Sequence, residues 1–231
     1  MKIKHFVPGL ALAVALVPAG AAVAQKPAKP PKPPKPAPGS TAITFDAKPT
    51  TIVFASPTTL SGRLSANTAG VTVKLEEDTT RPYGDSYKPS DKTTTTANNG
   101  SYSFSVKPGV NTQYRAVAQA SPTVTSAPKL VLVRMLVGLR VSDSTPRRGS
   151  RVRFSGTVFP AHDGRTASIQ KRSATGRFVT VARATLRDAG TARSSYAKSI
   201  RIFRGGVYRV KVVGDSDHIN GFSRLKTITV G

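Results

Sequence analysis

The chain has 231 residues, with 35 Lys and Arg against 11 Asp and Glu, and a formal net charge of +24. It contains no Cys and no Trp, which excludes disulfides, thiol nucleophiles and Cys-ligated metals and leaves burial to hold any domain together. The charge is uneven: residues 1–40 carry six Lys and no acid, residues 41–136 are net +4, and residues 137–231 are net +14. Two readings fit that asymmetry, a polyanionic partner or Arg-rich surfaces that are merely solvated.

Residues 1–24 form a secretory signal peptide. Lys2, Lys4 and His5 give a positive start, Phe6–Val17 is apolar, and Ala22-Val23-Ala24 supplies a small-residue cleavage site before Gln25. The apolar run falls short of the roughly 20 residues a spanning helix needs. No Cys follows it to accept a lipid. Residues 25–41 are a Pro/Lys-rich linker. Alternating Pro in Lys26–Ser40 fixes φ and removes N–H donors, so the segment is expected as a polyproline II spacer about 45 Å long. Its Lys residues suit a cationic tether and a soluble stalk equally well.

From Ala42 onward one framework is written twice. Ser61-Gly62-Arg63-Leu64, Gly70, Tyr102 and Tyr114-Arg115 recur 94 positions later as Ser155-Gly156-Thr157-Val158, Gly164, Tyr196 and Tyr208-Arg209. A self-match at fixed spacing implies a duplicated domain, at 42–135 and 136–231. Apolar residues alternate with polar ones in both copies, as in Leu60/Gly62/Leu64, Tyr102/Phe104/Val106 and Val152/Phe154/Gly156/Val158. That period of two, broken by Gly, Pro, Ser and Thr clusters, predicts antiparallel strands with one buried face. Glu76–Asn99 reads as a long polar loop, and the second copy counts seven strands ending at Arg224–Val230. No segment shows the apolar 3.6 period of a helix. The fold class is therefore all-β, with two tandem immunoglobulin-like sandwiches.

Tyr114 and Tyr208 each open a penultimate strand, a placement that resembles the tyrosine corner of immunoglobulin-like sandwiches. With SGTVFPAHDG, SSYAKSIRI and GGVYRVKVVGD, the second copy resembles bacterial Ig-like modules of secreted proteins from high-GC Gram-positive bacteria. The first copy, with AGVTVKLEED followed by NNGSYSFSV, also resembles carboxypeptidase-regulatory and transthyretin-like sandwiches. These resemblances imply adhesion, spacing or accessory binding and carry no catalytic residue and no cofactor across.

Chemistry-bearing residues are few. Once the signal peptide is removed only His162 and His218 remain, and no Gly-rich phosphate loop stands between a strand and a helix, so no catalytic, cofactor or metal residue is assigned. His162-Asp163 and Asp217-His218 fall in two loops expected at the end of the second sandwich that receives the chain from the first. They suit either a divalent-metal or ligand site or polar packing at the interdomain junction. Two His without flanking acids at ligand spacing favour packing. Because the 94-residue offset is even, matched positions keep their face of the sheet. Outward Pro57, Thr59 and Lys107 then become Arg151, Arg153 and Arg201, and with Arg140 these predict one cationic face. No aromatic residues are interleaved to stack bases, which argues against specific nucleic-acid readout. The expectation is a secreted, non-enzymatic structural or adhesive protein of the bacterial envelope, associated with the cell wall, whose Arg face meets acidic wall polymers. The alternative is an accessory carbohydrate- or peptidoglycan-binding module. It needs an aromatic platform, which six Tyr and no Trp supply poorly.

Overall fold

A computed structural model describes residues 41–231; the signal peptide and all of the Pro/Lys linker but its last residue lie outside the described residues. The first nine strands are β1 (Asp46–Lys48), β2 (Thr51–Val53), β3 (Thr58–Arg63), β4 (Thr72–Asp78), β5 (Lys88–Thr95), β6 (Ser101–Val106), β7 (Thr112–Ala118), β8 (Val124–Thr125) and β9 (Lys129–Val137). The next five are β10 (Arg140–Val141), β11 (Ser150–Phe159), β12 (Thr166–Arg172), β13 (Phe178–Thr185) and β14 (Arg187–Asp188). The last four are β15 (Ser194–Ile202), β16 (Gly206–Val212), β17 (Ile219–Phe222) and β18 (Lys226–Ile228). The described chain is all-β, and none of its residues lie in a helix long and apolar enough to cross a membrane.

Each copy buries the alternate residues of two sheets against each other. In the first, β1-β3-β6 faces β4, which pairs β5 and β7, while β7 and β2 both pair β9. Leu60, Leu64, Val73, Leu75, Val131 and Val133 form the fully buried centre. In the second, β10-β11-β15-β14 faces β13-β12-β16, around Val152, Phe154, Ile169, Val210 and Val212. Phe154 packs on Tyr208 with ring centroids 5.3 Å apart.

The repeated residues do the same work twice. Tyr102 donates its hydroxyl to the Thr44 carbonyl at 2.5 Å, and Tyr196 donates to the Gly138 carbonyl at 2.6 Å. In the ladders Gly62 lies opposite Tyr102 and Gly156 opposite Tyr196. A Cβ on Gly62 would strike the Thr44 carbonyl, and one on Gly156 would strike the Gly138 carbonyl. The glycine lets the backbone just before β1, or just before β10, come close, and the phenol satisfies the carbonyl it brings. The hydroxyls that tie down backbone in this way thus belong to Tyr102 and Tyr196. Tyr114 and Tyr208, expected to form the tyrosine corner, are buried instead as core rings on β7 and β16. Their partners Arg115 and Arg209 also match. Arg115 donates to Glu76 at 2.6 Å with its guanidinium 4.0 Å from the Tyr87 ring centroid; Arg209 donates to Gln170 at 2.9 Å and lies 3.9 Å from that of Phe178.

Strand β9 carries the chain from one sandwich to the other without a break. Val131 and Val133 belong to the first core, Met135 and Val137 to the second, and all four follow one alternation. The boundary expected at 135/136 falls inside this strand. Two further strands depart from expectation. β5 lies within the Glu76–Asn99 segment read as a loop, because a Thr-rich edge strand can pair through its backbone with almost no buried side chain. The segment before it is ordered by the buried Asp78 carboxylate, which accepts from the backbone N–H groups of Thr80, Gly84 and Ser86. β17, also expected as loop, pairs with β16 and, in parallel, with β9.

Removing the Tyr196 hydroxyl leaves the Gly138 carbonyl without its partner, so Tyr196→Phe is expected to cost about 1–3 kcal/mol. Gly156→Ala forces backbone apart and is expected to cost about 3 kcal/mol, at the upper end for overpacking. Urea unfolding of the two variants beside the parent checks both, and an unchanged midpoint for Gly156→Ala would show that the close approach is not constraining.

Candidate functional site

Arg151 and Arg153 are exposed and alternate with buried Val152 and Phe154 along β11, and Arg201 is exposed on β15. Arg151 stands directly opposite Arg201 in the ladder, and exposed Arg140 on β10 stands opposite Ser155. The strands carrying these four cations therefore share one sheet. Arg140 and Arg153 also line a groove of about 1330 Å³ open to solvent, together with Arg183 on β13, Arg187 on β14, Arg193 just before β15 and Lys198 within it. Its lining residues include no acid. Among the described residues none of these six cations is paired with a carboxylate. Small-molecule clefts run to roughly 300–1,000 Å³ and are mostly apolar, so this groove is both larger and more cationic than they are.

The first copy has a different surface at ladder-matched positions. Asp46 stands opposite Ser61 where Arg140 stands opposite Ser155, and Thr59 stands where Arg153 does. Lys198 lies opposite Phe154 in the place that Phe104 occupies opposite Leu60. Phe104 is buried against Tyr102, whereas Lys198 is exposed. Of the groove cations, sequence reasoning finds Arg140 and Arg153, because the 94-residue offset carries their face across. It misses Arg183, Arg187, Arg193 and Lys198. The first three belong to a strand and turn whose place beside β15 is fixed by tertiary folding, and Lys198 breaks the apolar alternation at an inward position.

The second constellation lies at the junction of the two sandwiches. His162 and His218 come together with ring centroids 5.1 Å apart, and both are buried. Asp163 and Asp217 do not join them: Asp163 accepts from the Ser194 hydroxyl, and Asp217 accepts from that of Ser216. The carboxylate between the imidazoles is Asp215, with Oδ2 3.0 Å from His162 Nε2 and Oδ1 3.5 Å from His218 Nδ1. Asp215 Oδ1 also accepts from the backbone N–H groups of Asp217 and His218, a turn signalled by the Asp215-Ser216-Asp217-His218 order. Burial pushes the Asp215 carboxyl up, but those backbone donors and the two imidazoles outweigh it and hold the group below the usual carboxylate range. Arg165 Nη2 lies 3.5 Å from Asp215 Oδ2, the oxygen that also faces His162.

The first sandwich grips this turn. His218 Nε2 donates to the Gly109 carbonyl at 2.8 Å, and the Asn111 backbone N–H donates to the Asp217 carbonyl at 2.7 Å. Asn111, fully buried, donates through Nδ2 to the Ser216 carbonyl and accepts the backbone N–H of Val133. One amide side chain thus links β9 to a loop of the second sandwich.

No protein-family model matches the chain, and no curated protein matches it. Solved structures that align with it include a tetra-tandem repeat from the extending region of a large adhesion protein, at 16% identity, TM-score 0.36, over 82% of this chain and 49% of that one. Red sea bream transglutaminase aligns at 11% identity and TM-score 0.43, over 83% of this chain and 32% of its own. Bovine butyrophilin aligns at 11% identity and TM-score 0.41, over 83% of this chain and 99% of its own. The chain thus spans about half of the first of these and a third of the second.

Asn111→Ala strips the Val133 N–H of its partner inside a buried strand and cuts the side-chain link to the Ser216 carbonyl, while the backbone bond to Asp217 stays. It is expected to destabilise the chain by about 2–3 kcal/mol, more than an exposed Asn→Ala, measured by urea denaturation. A loss below about 0.5 kcal/mol would show that water replaces the amide and that the junction does not rest on it.

Proposed function

We propose that this chain is an exported, non-enzymatic module of the bacterial envelope, held on a Pro/Lys stalk, whose second sandwich binds acidic polymers. The observation that carries the reading is the groove bordered by Arg140, Arg153, Arg183, Arg187, Arg193 and Lys198 with no acid among its lining residues. Cations fixed on a sheet sum their fields and attract polyanions without reading a sequence of monomers. The Arg151–Arg201 pair supports it from outside the groove. Like charges directly opposite in a ladder oppose folding, so their presence suits a surface that meets negative charge. The positive start and Ala22-Val23-Ala24 support export, and the six Tyr and absent Trp leave a sugar-stacking platform poorly supplied. The ligand class is a linear polyphosphate, polysulfate or polyuronate rather than a particular polymer.

Binding is expected to weaken steeply between about 50 and 200 mM salt, since exposed charges are screened and counterions are released. Arg153→Ser/Arg183→Ser/Arg187→Ser in the mature chain is expected to elute from heparin or wall-polymer columns at clearly lower salt. Its log K against log[salt] slope is expected to shrink by about 2–3, near one per contact removed. If the triple variant elutes with the parent, the groove is not the binding surface and the Lys of the stalk become the better candidates.

A further inference from the structure

His162 and His218 are held in one tautomer each by the backbone. His162 Nδ1 lies 2.9 Å from the Pro160 carbonyl and His218 Nε2 lies 2.8 Å from the Gly109 carbonyl. A carbonyl oxygen only accepts, so each of these nitrogens carries the hydrogen. In the neutral rings the other nitrogens, His162 Nε2 and His218 Nδ1, are then lone pairs. Both lone pairs face the same carboxylate, Asp215, itself rich in lone pairs. His218 Nδ1 is also the buried side-chain polar atom left without a hydrogen-bond partner among the described residues. Three basic atoms that converge in this way repel one another unless a proton or a metal ion stands between them.

We infer that His162 Nε2, His218 Nδ1 and the Asp215 carboxylate form a site for a borderline transition-metal ion of the Zn²⁺ class at the junction of the two sandwiches. The three donors lie within 4.8 Å of one another. Ligands that share a tetrahedral Zn²⁺ at 2.0–2.2 Å stand about 3.4 Å apart. His162 Nε2 stands 3.0 Å from Oδ2 and His218 Nδ1 3.5 Å from Oδ1 of the Asp215 carboxylate, each near that value. Two imidazoles and one carboxylate select Zn²⁺, Co²⁺ or Ni²⁺ over the oxygen-seeking Ca²⁺ and Mg²⁺. The carbonyls of Pro160 and Gly109 supply the outer partners that orient metal-binding imidazoles. Asp215 is 19% exposed, which gives the ion a path in and leaves room for a water as fourth ligand. Arg165 is 43% exposed and can turn from Asp215 into solvent as the ion enters. Because Gly109 belongs to the first sandwich and the three ligands to the second, a bound ion fixes the two against each other.

The test is titration of the untagged mature chain, freed of metal by a chelator, with Co²⁺ and then Zn²⁺. One equivalent of Co²⁺ is expected to give the intense visible d–d bands of a tetrahedral N/O site, and Zn²⁺ is expected to displace it and raise the melting temperature. His162→Gln and His218→Gln are each expected to weaken binding at least about 100-fold, the upper end found for outer-shell partners alone. Arg165→Gln, which removes the competing cation, is expected to tighten it. Should one His variant fail to fold by circular dichroism, the other and Asp215→Asn carry the test. Absence of tetrahedral Co²⁺ bands in the parent, or bands kept in every folded variant, would overturn the proposal and leave protons to fill the gap.

Discussion

Everything in this molecule hangs on the uninterrupted alternation of β9. Val131, Val133, Met135 and Val137 are spaced two apart, so a single pleat places the first pair in one core and the second pair in the other. A flexible linker would have let the two sandwiches rotate freely. Here the backbone of β9 is hydrogen-bonded to β7 and β2 on the first side and to β17 and β11 on the second. Slipping β9 by one residue would turn all four side chains away from both cores at once. The junction contacts of Asn111 and His218 are possible because that register is pinned.

Both sandwiches share the same scaffold, and the copies differ in charge rather than in shape. The Tyr–Gly contact just before β1 or β10 and the Arg stacked on an aromatic ring recur with nearly the same distances. Yet Arg115 faces Glu76 while Arg209 faces Gln170, so an ion pair in one copy becomes an uncompensated cation in the other. Phe104 to Lys198 and Asp46 to Arg140 run in the same direction. Asp46 and Arg140 sit on the outer face, where side-chain volume is not confined, whereas Lys198 stands at the inward position of buried Phe104 and reaches solvent. The core positions, such as Leu60 and Phe154 or Leu75 and Ile169, stay apolar.

Much of the fold was legible because a period of two and an even repeat offset are both one-dimensional signals. The sheet of β10, β11 and β15, with its Arg residues on one face, followed from them. What escaped notice shares a cause. β5 and β17 have little apolar alternation, since β5 is an exposed Thr-rich edge and β17 pairs with β9 from far along the chain. Which phenol would reach a carbonyl was also hidden, because Tyr102 and Tyr196 owe that role to the glycines opposite them. At the junction, both imidazoles could be found by elimination in a chain so poor in His. Asp215 could not, for its carboxylate is chosen by the turn it closes over Asp217 and His218 rather than by proximity in sequence to His162.

The parallel pairing of β9 has a mechanical meaning. In a tethered protein loaded at its far end, force enters the first sandwich through its opening strands and leaves along β9. Since β2 and β9 run parallel, that load drags them past each other and strains every bond of the ladder together. In the second sandwich β17 also lies parallel to β9, but the chain leaves through β18, antiparallel to β16. Antiparallel neighbours under the same pull would peel open one bond at a time. A chain so arranged resists stretching most in its first sandwich, and single-molecule extension would register one high rupture event there rather than a low plateau.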